Sequence, residues 1–191
     1  MANDASEVFV AANGHIYVGA TSATAPTDAT SSAGAGWSDL GYCTEDGVSL
    51  APGQTVTDVM VWQEFYPLKR IPTAKSFEVS FTLAQLNSET LALALGGGVT
   101  TGSGGTYEFT PASAQTLDER SMIIDVIDGT RIYRFYIPTG IVINLGQITF
   151  NRQSIVNLPV TFGATASGTA DPFSVFIEDD EFPVGSGELA S

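Results

Sequence analysis

Met122-Ile123-Ile124-Asp125-Val126-Ile127 and Arg131-Ile132-Tyr133-Arg134-Phe135-Tyr136-Ile137 are the densest β-forming runs of the chain, and Asp128-Gly129 lies between them. β-Branched and aromatic side chains fit a pleated surface, and Asp-Gly tolerates the positive φ angles of a tight turn. The three pieces together predict an antiparallel hairpin. Met122, Ile124 and Val126 fall on one side of the first run, Ile123 and Ile127 on the other. A strand apolar on both sides is covered twice, once by its own core and once by something else. Further on, Gln147-Ile148-Thr149-Phe150-Asn151 and Val156 to Phe162 alternate apolar with neutral polar residues, which predicts strands with one wet face. The stretch from Glu119 to Ala164 holds no nucleophile–base pair and no set of metal ligands. It reads as architecture.

The rest of the chain fits around that centre. A length of 191 residues suits one domain, 1–191, with a sizeable core and long arms. Charged residues make up only 15%. Such a surface fits coverage by other subunits, and equally a β-rich protein with Ser/Thr/Gly loops. The formal net charge is −14, and all seven basic residues lie between Lys69 and Arg152, where seven acids balance them. The excess comes from the two ends. A chain of this sign does not attract phosphate backbones, so nucleic-acid binding by charge is disfavoured, while an acidic wall would let DNA slide past. One cysteine, Cys43, rules out an internal disulfide. The N-terminus lacks the basic region of a signal peptide, and no apolar run approaches the roughly 18 residues of a membrane span. Synthesis in a cytoplasm is expected.

In chain order, Val8-Phe9-Val10 and His15 to Val18 predict two short strands around Asn13-Gly14. Residues 19–36 are small and polar and predict a mobile loop. Glu45-Asp46-Gly47-Val48 predicts a turn, and Gln54 to Phe65 a strand. Phe77, Val79, Phe81 and Leu83 alternate with Ser76, Glu78, Ser80 and Thr82 as a half-buried strand. Asn87 or Ser88 caps a helix running through Leu91-Ala92-Leu93-Ala94-Leu95 and stopped by Gly96. Gly96 to Gly105 predicts a flexible loop, Tyr107 to Phe109 a strand. From Gly163 to the end, 163–191, the chain reads as an arm holding one strand, Phe173 to Ile177, and the acidic Glu178 to Glu181.

Candidate chemistry is thin. His15 is the only histidine, no nucleophile elbow lies near it, and nothing around Cys43 marks a reactive thiol. The glycines of 96–105 lack the Lys-Ser/Thr ending of a phosphate loop and follow a helix instead of opening one. Glu178 to Glu181 lacks the spacing of a calcium loop. No catalytic residue, cofactor or metal is expected.

The order of motifs resembles a known family. Trp37-x-Asp39-Leu40-Gly41-Tyr42, Glu45-Asp46-Gly47-Val48, Val61-Trp62-Gln63, the Phe77–Leu83 strand, Glu119 to Asp125, Ile137-Pro138-x-Gly140 and Pro159-Val160-Thr161-Phe162 are similar to segments of the major tail proteins of long-tailed actinobacterial phages. The resemblance implies a mainly β fold, a β-sandwich or barrel-like sheet pair with one flanking α-helix. It implies a structural virion protein that self-assembles into hexameric rings and stacks them into the tail tube. DNA passes through that tube without specific binding, and tape measure and tail terminator proteins are the implied partners. The apolar hairpin then offers Ile123, Ile127, Tyr133, Phe135 and Ile137 as subunit interface. The small polar strand positions Glu78, Ser80, Thr82, Gln147 and Thr149 become candidates for the lumen. The alternative is a virion decoration or glycan-binding β-sandwich whose Trp37, Tyr42, Trp62, Phe65 and Tyr66 stack on sugars; otherwise these aromatics belong to core and interface.

Overall fold

The central hairpin forms as its residues dictate. In the computed structural model, which describes residues 8–113, 117–166, 171–180 and 182, it consists of Arg120–Asp128 and Arg131–Leu145. The turn is the two residues Gly129-Thr130, with Gly129 at φ 63°. Asp128 ends the first strand, and its carboxylate accepts from the Val10 amide (3.0 Å) and from Arg131 (2.6 Å). In chain order the elements are β1 (Asn13–Ala20), β2 (Trp37–Asp39), β3 (Cys43–Val59), β4 (Lys69–Leu83), α1 (Ser88–Ala94), β5 (Gly98–Ser103), β6 (Thr106–Pro111), β7 (Arg120–Asp128), β8 (Arg131–Leu145), β9 (Leu158–Ala164) and β10 (Ser174–Glu178).

One sheet runs β2-β1-β7-β8-β9-β4-β3, with β10 added to β8; a second pairs β5 with β6. β8 is the spine. It pairs β7 along one edge, and along the other it holds β10 at 132–136 and then β9 at 140–145. Gly140 sits at the handover, where a Cβ would meet the Phe162 ring at 2.4 Å and the Gly163 carbonyl at 2.6 Å. The two ends of the path, β2 and β3, are separated by only three residues of chain, so the sheet rolls around its core. No pairing closes it into a barrel among the described residues. Inside lie Ile16, Val18, Leu40, Phe77, Val79, Phe81, Leu83, Met122, Ile124, Ile137, Leu158, Val160 and Phe162, all buried.

The helix caps one side of this core. Asn87 accepts the Thr90 amide (2.8 Å) while the Thr90 hydroxyl accepts the Asn87 amide (2.9 Å), a reciprocal cap that satisfies two backbone donors. Leu93 and Ala94 are buried, and Leu95 is 40% exposed.

Three local expectations are corrected. Val8 to Val10 is not a strand, and Asn13-Gly14 opens β1 instead of turning, with Gly14 paired to Val126 so closely that a Cβ would meet the Asp125 carbonyl. Gly98 to Ser103 is a strand, because Val99-Thr100-Thr101 pairs with β6 across Gly104-Gly105, both at positive φ; the glycines hid this β-former run. Gln147 to Asn151 makes only the single bridge Thr149–Asn157, because Gly146 donates to the Pro159 carbonyl and the chain turns away from the sheet.

Truncating Leu93 to alanine is expected to cost about 2–5 kcal/mol in chemical denaturation, and Asn87→Ala about 1 kcal/mol. An unchanged midpoint in Leu93→Ala would show that α1 does not seal the core.

Candidate functional site

Three surfaces emerge from this fold. The first is the outer side of the hairpin, which the chain covers itself. Asp125 and Arg134 face each other across β7 and β8, and both are buried. Arg134 donates from Nε to Asp125 Oδ1 and from Nη2 to Oδ2, each at 2.7 Å. Its Nη1 donates to the Asp28 carbonyl (3.0 Å) and the Ser31 carbonyl (2.7 Å). A planar guanidinium has the donors for both tasks, and its bonds to Asp125 raise its pKa further. The 19–36 segment, expected as a mobile loop, is thus tied to β8 at two of its carbonyls. Its local shape comes from Asp28, whose carboxylate accepts the amides of Ser31 and Thr30 and the Ser31 hydroxyl. Those bonds, the Ser31 amide first, hold the Asp28 pKa at about 2. Ala29 of this loop is buried, and Trp37 just beyond it lies edge-on to Tyr136.

The expected interface residues sit accordingly. Ile123 and Ile137 have no exposed surface in the single subunit, and Ile127, Tyr133 and Phe135 are half-buried. Phe135 packs against the core, while Tyr133 stacks edge-on with Phe9 and donates to Asp179 (2.9 Å). Residues 29–34 of the chain's own loop lie over part of this outer side, beside Asp125, Ile127 and Ile132.

The second surface is polar. Paired positions share a face of a sheet, so Ser49, Ser80, Thr161 and Asn144 lie side by side across β3, β4, β9 and β8, with Glu78 and Thr82 along β4. Ser80 and Thr161 hydroxyls are 3.3 Å apart. These positions carry no cation, and Glu78 is their one charge. Glu78, Ser80 and Thr82 therefore come together as expected, whereas Gln147 lies off the strands and Thr149 is held only by its bridge.

The third surface was missed. β4 pairs β9 only from Glu78 to Leu83, so the rest of β4 and the outer part of β3 form a two-stranded arm with both faces exposed. At its tip Trp62 is 99% exposed, Phe65 98% and Tyr66 82%, flanked by Met60 and Leu68. Four of the five aromatics expected in core or interface, Tyr42 being the fourth, are outside the core; Trp37 alone is partly covered, donating from Nε1 to the Thr24 carbonyl. The signal was available in the sequence. Gln54 to Val59 and Lys69 to Lys75 have strand formers without a buried period, the first preceded by Pro52 and the second interrupted by Pro72, and a strand with no inner face is an arm.

Comparison with known proteins decides the class. The model of the family described as phage tail tube protein matches residues 1–186. The chain belongs to the phage tail tube protein family. As a tail tube protein it is a structural component of the virion's tail, forming part of a conduit, and not an enzyme. Among the described residues no cluster of His, Cys, Asp and Glu could hold a metal ion, and no helix is long and apolar enough to cross a membrane. The chain is also similar to a solved structure, the sheath-tube complex of an extracellular contractile injection system (PVC) in its extended state. That match has 11% identity, a TM-score of 0.35, and coverage of 86% of this chain and 87% of that one. No curated protein matches.

Removing Arg134 leaves Asp125 buried without its partner, so Arg134→Ala is expected to lose about 3–5 kcal/mol in urea titration. A loss under 1 kcal/mol would show that the clamp is dispensable. The Asp28 carboxyl titrates lower in the folded loop than in the unfolded chain, so its contribution is full above about pH 4 and lost as pH falls towards 2. Asp28→Asn is therefore expected to flatten the fall of the melting temperature between pH 4 and 2; identical slopes would contradict this.

Proposed function

We propose that this tail tube protein self-assembles into hexameric rings whose sheets join into one continuous inner barrel, and that the rings stack into a tube through which DNA leaves the capsid. The observation that carries it is the polar face of β3, β4, β9 and β8. These strands present Ser, Thr and Asn there with Glu78 and Asp46 as acids and no cation among Ser49, Glu78, Ser80, Thr82, Asn144 and Thr161, so a phosphate backbone finds nothing to grip. Edge strands left unpaired in the subunit supply the hydrogen-bonding groups that a neighbour's sheet would complete. Glu78, Ser80, Thr82 and Thr161 face the lumen on this account, and rings form in the host cytoplasm before joining the tape measure and tail terminator proteins. The interface shifts from the hairpin to the arm. An aromatic tip exposed in the free subunit gains most from burial against another copy, at roughly 25 cal/mol per Å² before entropic costs.

Electron microscopy of the purified protein tests the assembly: hollow tubes built of sixfold rings are expected, and discrete monomers or trimers would favour the decoration or glycan-binding alternative. Ser80→Lys with Thr161→Lys is expected to leave tubes intact while slowing DNA ejection from reconstituted virions. Unchanged ejection would remove this face from the channel.

A further inference from the structure

β3 carries two unlike surfaces at its two ends. Near its start lies a groove of about 500 Å³ with Ile16 and Val48 in its lining and Asp39, Tyr42 and Glu45 among its other walls. Thr44, also in the lining, has a buried Oγ1 without a hydrogen-bond partner among the described residues. At the far end is the arm with its aromatic tip. From Val48 to Val59 an extended strand covers about 35 Å, so the tip points away from its own subunit's groove.

Charge divides the same way. Residues 51–76 hold Lys69, Arg70 and Lys75 against Asp58 and Glu64, a net +1, which leaves −15 on the remainder of the −14 chain. Arg70 pairs with Asp58 at 3.1 Å, whereas Lys69 is exposed and has no ion pair among the described residues. Glu45 in the groove is likewise exposed. The competing apolar cavity, of about 350 Å³ beside α1 and β8, has one acid, Asp118, already held by Arg120 at 3.0 Å. It offers the aromatics a seat but the cation no partner.

We propose that the arm tip of one copy seats in the groove beside Cys43 of a second copy, Trp62 and Phe65 filling the apolar part and Lys69 meeting Glu45. This rests on the tube assembly above and specifies its contact. Because plug and socket are different surfaces at opposite ends of one strand, the contact is head to tail; placed between stacked rings, it repeats along the tube. Aromatic anchors in a pocket supply the affinity; the charge pair selects the register.

The chain's single cysteine makes the test direct. Gln63→Cys places a second thiol at the tip. Burial, and then Asp39, raise the pKa of Cys43, so tubes are oxidised at pH 8.5. A ladder of disulfide-linked multimers is expected on non-reducing gels, since every copy then bears one tip and one groove thiol. It is expected to collapse to monomers or dimers when Cys43→Ser is added. In parallel, Glu45→Lys and Lys69→Glu should each raise the critical concentration for assembly about tenfold, and the double variant should restore it. Tubes that neither cross-link through Cys43 nor respond to the charge exchange overturn the groove assignment and leave the tube standing. So does cross-linking that appears only when Leu117→Cys replaces Cys43 as the acceptor. Protein that forms no tubes at all removes both.

Discussion

Arg134 and Asp125 are opposite charges taken out of water together, and the subunit depends on how completely they are satisfied. A buried ion pair recovers its desolvation cost only when the remaining donors and acceptors are also used. Here two guanidinium nitrogens serve the carboxylate and the third serves two loop carbonyls. The pair therefore does more than join β7 to β8. It fixes the 19–36 segment over the outer side of the hairpin, where Ala29 to Gly34 share a recess with Ile127 and Ile132. A sequence poor in apolar residues thus becomes the second cover of the most apolar strands, held by polar bonds to one arginine.

That arrangement determines what is left for neighbours. With part of the hairpin's outer side covered by the chain's own loop, the most exposed aromatic side chains are those of the β3–β4 arm, Trp62 and Phe65 being almost wholly exposed. β8 links the parts: β7 and the clamped loop lie on one side of it, and β9, carrying the polar face, on the other. A rigid sheet with a smooth neutral face and a protruding aromatic plug is a unit suited to repetition. In the proposed tube, the small polar strand face would keep DNA from adhering, while the plug would give each copy a reason to bind the next. Channel and assembly would thereby be separated on the same strands, with β3 and β4 presenting small polar residues near the core and an exposed aromatic tip at their outer ends.

Much of this was legible. The hairpin, the half-buried Phe77–Leu83 strand, the Asn87-capped helix and the late Phe173–Ile177 strand follow from local chemistry, because period and caps act within a few residues. The clamp was one register away from being read. Centring the turn on Gly129-Thr130 instead of Asp128-Gly129 places Asp125 opposite Arg134. What closed over the hairpin could not be read, since a Gly/Ala/Ser/Thr loop carries no apolar signature and is held by its backbone carbonyls, which are the same for every residue. Glycine misled in the opposite sense at 98–105, where a hairpin looked like a linker. The aromatics at 62, 65 and 66 were expected in core or interface, or stacking on sugars; the absence of a buried period on either side of them was the sign that set the core aside.

The central claim is that each subunit covers its own hairpin and reserves the arm for other copies. Hydrogen–deuterium exchange of the free subunit and of assembled tubes measures both halves at once. Amides of β7 and of the Asp28–Ser31 loop are expected to be protected already in the free protein and to change little on assembly, while those of 52–76 exchange fast when free and become protected in tubes. An arm that exchanges equally in both states, with the 19–36 loop gaining protection only in tubes, would contradict the account.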